Sequence, residues 1–217
     1  MDIDTTDTAN YADQLAERLR SGDPEVLAGL FGHYRERLWR MVHLRMDRRL
    51  FGRVDADDVL QEAYLDAARR VHHYISTDNS LSPFVWLRLI VSQTLVDVHR
   101  RHLGAQKRDA RLEVSIHRGP DPPASSVSLA DFLMGHLTSP SQAAIRSEAA
   151  AQLGKVVNEM DPIDREVLVL RHFEELTNSE VAEVLGLQQK AASIRYVRAL
   201  KRLKETLADV PLFAEEY

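Results

Sequence analysis

Between Gln188 and Lys204 the chain carries Lys190, Arg195, Arg198, Lys201, Arg202 and Lys204 and no acid, a charge of +6 in 17 residues. Cations packed this closely neutralise phosphates, the chemistry of a nucleic-acid backbone contact. With Ala192 at the centre of an inner face, Tyr196, Ala199 and Leu203 follow at steps of 4, 3 and 4, one helical stripe. Lys190, Ile194, Val197, Arg198 and Lys201 then point outward. Gln188, Gln189 and Lys190 fall at the start of this helix, where base edges are met; Gln suits adenine and Lys or Arg suits guanine. Ile194 or Val197 could touch a thymine methyl.

The segment before it explains how such a helix would be held. Thr177 with Glu180 three residues on is a capping box, Val181, Ala182 and Leu185 form an apolar face, and Gly186 supplies a tight turn. A short helix, a glycine turn and a basic second helix make a helix-turn-helix pattern, whose second helix enters a major groove.

A second basic stretch runs from His99 to Arg111, where His99, Arg100, Arg101, His102, Lys107, Arg108 and Arg111 face a single acid, Asp109. It ends an almost wholly apolar helix starting at Pro83. Trp86 on that helix is either core or a stacking platform of the kind single-stranded nucleic acid uses. In Asp55 to Val71, Leu60, Ala63, Tyr64, Ala67 and Val71 share one stripe, and Asp58, Gln61, Glu62 and Leu65 share the opposite one. That opposite face reads as a solvated acidic surface or as a docking face for a basic partner.

Other chemistries find little support. The chain has no cysteine, which excludes disulfides, thiolate metal sites and cysteine nucleophiles. It has no Gly-rich phosphate loop, Gly-x-Ser-x-Gly or His-Glu-x-x-His. His99 and His102 could share a metal, but no third ligand is evident, so neither an enzyme nor a resident metal or cofactor is expected. No apolar run approaches the roughly 20 residues that span a bilayer. The acidic start lacks a signal-peptide pattern, so a cytoplasmic protein without membrane insertion is expected.

These segments must be positioned by helices. Periodicities near 3.6 predict an all-α chain with helices over roughly Pro24 to Leu50, Ala56 to Tyr74 and Pro83 to Leu103. The pattern lapses from Gly104 onward, with GPDPPASSVS at Gly119 to Ser128, and resumes near Ser141. The expected organisation is an acidic segment over 1–22, a helical domain over 23–103, a flexible linker over 104–139, a second helical domain over 140–209 and a tail over 210–217. The acidic segment, with Asp2, Asp4, Asp7 and Asp13, reads as a disordered solubilising tail. The net charge of −5 across 217 residues is a sum of segregated opposites, and it would restrain non-specific DNA binding by the free chain.

These residues resemble the extracytoplasmic-function (ECF) subgroup of the sigma-70 family of bacterial RNA polymerase sigma factors. DVLQEAY at Asp58 to Tyr64 is similar to that family's region 2.2, WLRLIVSQTLVDVHRRH at Trp86 to His102 to regions 2.3 and 2.4, and SPSQAAIRSE at Ser139 to Glu148 to the start of region 4. The helix-turn-helix resembles region 4.2, and HRRHLGAQKRD with RYVRALKRL resembles a planctomycete-like branch. The resemblance runs from about Pro24 to Leu207. It implies a region 2 bundle that docks on the β′ clamp helices of the polymerase core and opens the −10 element, and a region 4 domain that reads the −35 element. Asp58, Gln61, Glu62 and Leu65 would then meet the polymerase. Asn79 and Ser80, in the loop from Ser76 to Ser82, with Trp86, Gln93, Arg100 and Arg101, would meet −10 DNA. Gln188, Gln189, Lys190, Ile194, Arg195, Arg198 and Lys201 would meet −35 DNA. The resemblance makes promoter DNA the other partner and an anti-sigma protein a candidate third. Two departures stand out: the family commonly has Asn where this chain has Gln93, and the spacing from Phe84 to Trp86 is one residue shorter than in many relatives. A stand-alone helix-turn-helix regulator is the competing expectation; it leaves the DVLQEAY face without a role.

Overall fold

A computed structural model of the chain describes residues 5–77, 81–103 and 159–208, with side chains over 11–77, 81–103 and 159–205. Every element among the described residues is helical. The chain divides into two compact units, Met1–Pro122 and Pro123–Tyr217. The division falls inside the stretch expected to be a linker, 104–139, which lies outside the described residues, as does the tail.

The first unit contains α1 (Thr5–Arg20), α2 (Leu27–Arg45), α3 (Ala56–Ser76) and α4 (Pro83–Leu103). Helix α1 corrects the expectation of a disordered acidic tail. Ala12, Leu15, Ala16 and Leu19 form a buried stripe, and burying each leucine is worth about 2 kcal/mol. Asp13 and Glu17 are exposed off that stripe. Helix α2 offers Gly29 to α1; a Cβ there would come within 3.1 Å of Leu15 Cδ1, so the glycine permits the close approach.

The expected helix over Pro24 to Leu50 is in fact three pieces. A 3₁₀ turn, Pro24–Val26, starts at Asp23, whose carboxylate accepts the Glu25 N–H at 3.1 Å. After α2, Asp47 caps a second 3₁₀ turn, Arg48–Leu50, through the Arg49 N–H at 2.9 Å. The Arg49 side-chain hydrogen bond dominates the shift that holds the Asp47 carboxyl at about 2. Helix α3 is amphipathic, with Val59, Leu60, Ala63, Ala67 and Val71 buried. Helix α4 is buried nearly all round, as its composition predicts, including Phe84, Leu87, Val91, Leu95 and Val98.

The second unit contains α5 (Pro162–Leu168), a π-helical turn (Val169–Phe173), α6 (Asn178–Leu185) and α7 (Gln189–Ala208). Asp161 caps α5 by accepting the N–H groups of Ile163 and Asp164 at 3.0 and 3.2 Å, with Pro162 in the first turn, where its missing N–H costs nothing. The π turn and Glu175, at φ +56°, bring the chain round to α6. Val167, Leu170, Phe173, Leu176 and Val181 form the core, and two alanines, Ala192 and Ala199, let α7 pack closely against it.

Candidate nucleic-acid interface and docking face

The turn between α6 and α7 is built as its residues require. Thr177 Oγ1 accepts the Glu180 N–H at 3.2 Å, and a Glu180 carboxylate oxygen accepts the Thr177 N–H at 2.7 Å, which satisfies two orphan donors reciprocally. Gly186 closes α6 in the left-handed region at φ +59°, and the Leu187 N–H donates to Ala182 O at 2.8 Å. Helix α7 leaves this turn with Gln188, Gln189 and Lys190 exposed at its start.

Its two faces are as the periodicity predicts. Ala192 and Ala199 are fully buried, and Tyr196 and Leu203 are half-buried beside them. The Arg171 guanidinium lies 5.3 Å from the Tyr196 ring centre, and the Tyr196 hydroxyl meets His172 Nε2 at 3.0 Å. Burial, reinforced by Arg171, holds the His172 pKa below its ordinary value. On the other face Ile194 and Val197 are 45% and 63% exposed, large apolar groups left in water beside Arg198 and Lys201. Arg195 departs from the expected DNA-facing set: it donates to Asp164 Oδ1 at 3.0 Å, while Arg202 donates to Asp164 Oδ2 at 2.8 Å.

In the first unit the face expected to dock is open to solvent. Asp58, Gln61, Glu62 and Leu65 are all exposed on α3, and Leu65 at 51% is an apolar centre among polar neighbours. Asp57 beside them pairs with Arg35 at 2.6 Å. Glu62 is bound through both oxygens to Arg101 Nη2 at the end of α4, at 2.7 and 2.8 Å. The pair is about half exposed, at 49% and 53%.

The family model for sigma-70, region 4 matches residues 150–203, which take in the capped turn and α7 as far as Leu203. Over 196 residues the chain is 24% identical to the ECF RNA polymerase sigma factor BldN of Streptomyces coelicolor, covering 90% of this chain and 66% of that one. Over 215 residues it is 26% identical to the RNA polymerase sigma-H factor of Pseudomonas aeruginosa, covering 96% and 98%. It is 22% identical to the ECF RNA polymerase sigma factor SigW of Bacillus subtilis, covering 89% and 95%. Over about nine-tenths of its length the chain is thus similar to ECF-type sigma factors, and residues 150–203 match region 4 of the sigma-70 family. Its function lies in transcription initiation.

Of the residues expected at −10 DNA, two side chains, Trp86 and Gln93, are engaged within the first unit. Trp86 is buried and stacked on Tyr74 at 4.4 Å, so its ring is core and its faces are not open to a base. Gln93 is half-buried and accepts from Arg70 at 2.7 Å. Arg100 is exposed and lies 3.5 Å from Asp97. Asn79 and Ser80 lie outside the described residues; the Tyr74 hydroxyl anchors the loop end by donating to Leu81 O at 2.9 Å. His99 and His102 do not act together: His99 Nε2 accepts the Asp47 N–H at 3.1 Å, and His102 is exposed. Among the described residues no group of three or more His, Cys, Asp or Glu could hold a metal, and no helix is long and apolar enough to cross a membrane.

One feature of the first unit was not anticipated from the sequence. Trp39, His43 and Phe51 stack in a row, with centroids 5.0 and 5.5 Å apart and planes within 13°. They line a cleft of about 500 Å³ that reaches Asp55 and Asp58 at the start of the docking face. The i, i+4 spacing of Trp39 and His43 was the available signal; nothing local placed Phe51 beside them.

Proposed function

We propose that this chain acts as a sigma factor that docks on RNA polymerase core through Asp58, Gln61, Glu62 and Leu65 of α3, and reads the −35 element as duplex through the outward face of α7. Opening of the −10 element falls to the loop between α3 and α4 together with Arg100 and Arg101. The single observation that carries the reading is the outward face of α7. Gln188, Gln189, Lys190 and Arg198 stand exposed around Ile194 and Val197, on a helix that a capped glycine turn holds in place. Polar groups that pair with base edges, cations for phosphates and methyl-sized apolar groups are what a major groove accepts. The acidic α3 face suits a basic protein partner, and its central leucine suits the buried middle of an interface.

Reconstitution tests it. The purified chain with core polymerase should start transcripts at a specific promoter, found by mapping transcript 5′ ends after overexpression, and should bind that promoter weakly by itself. Tight, sequence-specific binding without polymerase would overturn the reading in favour of a stand-alone regulator. Gln61→Ala with Glu62→Ala should weaken core binding and spare duplex binding by α7, and Arg198→Ala should do the reverse. Loss of the same activity in both variants would refute the division of labour.

A further inference from the structure

We infer that Asp164 is a specificity-positioning residue: it holds Arg195 and Arg202 against the second unit, so that only part of the positive charge of α7 is presented to DNA. The inference rests on the reading that α7 enters a major groove. Asp164 sits in the first turn of α5 with its side chain 5% exposed, and its two oxygens are taken separately, Oδ1 by Arg195 at 3.0 Å and Oδ2 by Arg202 at 2.8 Å. Arg195 also lies 3.8 Å from Asp161, the residue that caps α5. The two arginines are seven residues apart, so at 3.6 residues per turn they project within about 20° of each other. They lie about 110° round the helix from the centre of Lys190, Ile194 and Lys201. A carboxylate buried this deeply needs both partners, and it therefore fixes both guanidiniums as well as the roll of α7 about its own axis.

The functional consequence follows from charge. Lys190 and Arg198 make no ion pair among the described residues, and Lys201 has only a loose contact with Glu205 at 3.8 Å. Those three cations flank Gln188, Gln189 and the exposed Ile194 and Val197. Adding two more free arginines would strengthen every phosphate contact regardless of sequence. By withdrawing them, Asp164 limits non-specific affinity and leaves base contacts a larger share of the total.

The salt dependence of full-chain binding to random-sequence duplex DNA distinguishes this from a merely structural role. Asp164→Asn should bind random duplex more tightly and steepen the log–log salt slope by up to about two, at roughly 0.9 per phosphate contact. An unchanged or shallower slope would overturn the inference. Arg195→Gln combined with Arg202→Gln should leave the slope unchanged, whereas a loss of about two would show that these arginines already touch phosphates. The wild-type chain supplies a readout that no folding defect can obscure. Modification by an arginine-selective dicarbonyl, mapped by mass spectrometry, should show duplex DNA protecting Arg198 and leaving Arg195 and Arg202 unchanged. Protection of the latter pair would sink the idea. Arg198→Gln separates the two levels: if it leaves the slope unchanged, the α7 reading fails and this inference with it. If it lowers the slope by about one while Asp164→Asn does not raise it, only the role of Asp164 fails.

Discussion

Both units tie an acid to an arginine that the sequence assigns to DNA, Arg101 in the first and Arg195 in the second, and they do so in opposite ways. In the first, Glu62 holds Arg101 with both partners about half in water. In the second, Asp164 is sealed under Arg195 and Arg202. An exposed pair is worth about 0–1 kcal/mol and can be exchanged for a new partner at little cost. A buried carboxylate cannot lose its arginines without paying desolvation. The first arrangement suits a face that must change partners, and the second suits a helix whose orientation must stay fixed.

The largest expected effect tests that contrast directly. Asp164→Ala should destabilise the second unit by about 2 kcal/mol, below the 3–5 typical of a fully buried pair because the guanidiniums keep contact with water. Glu62→Ala should cost less than about 1 kcal/mol. Urea denaturation of the two variants measures both, and equal losses would erase the distinction. A smaller effect probes the turn that shares the burden of aiming α7. Gly186→Ala places a Cβ at φ +59° and should cost about 1 kcal/mol in the same measurement.

Acid sharpens the comparison next. His99, near the end of α4, has its pKa lowered chiefly by burial, with Asp47 opposing the shift and Arg49 adding to it. Protonation would also end its acceptance of the Asp47 N–H at Nε2. The folded pKa lies below 6.5, so the neutral form is the one that folding favours. The contribution is complete above pH 6.5 and is lost as pH falls through the folded value. His99→Gln should flatten that part of the stability profile of the first unit and leave in place the part that His172 gives the second unit. At lower pH, Asp47 contributes above its ordinary value of 3.8 and loses that contribution as pH falls toward about 2.

What could be read in the sequence was whatever one helix decides alone. The α7 stripes, the Thr177 capping box and the Gly186 turn depend on residues within a few positions of one another, and period and propensity fix them. The α3 stripe followed for the same reason. Asp164 meets partners 31 and 38 residues away, and Glu62 meets one 39 away. Such pairings depend on how helices pack, which no local pattern encodes. Net acidity hid the buried stripe of α1, because Ala12, Leu15, Ala16 and Leu19 are outnumbered in composition although their spacing was visible. Trp86 shows the reverse error: the resemblance suggested a DNA contact, and packing against Tyr74 makes it core.

The smallest expected effect concerns Arg101. While Glu62 holds it, one guanidinium of the −10 side is engaged by the very residue proposed to meet the polymerase. Docking on a basic partner would compete for Glu62 and release Arg101 to a phosphate, so core binding and DNA binding would favour each other by a fraction of a kcal/mol up to about one. Glu62→Gln should reproduce the released state without polymerase. Full-chain affinity for a single-stranded oligonucleotide should rise a few-fold and the salt slope should steepen by about 0.7, the value for one added phosphate contact on a single strand. In an Arg101→Gln background the same substitution should change neither. A gain that persists there would mean that Glu62 merely repels the strand through its charge, and the pair would then carry no coupling between the two faces of the first unit.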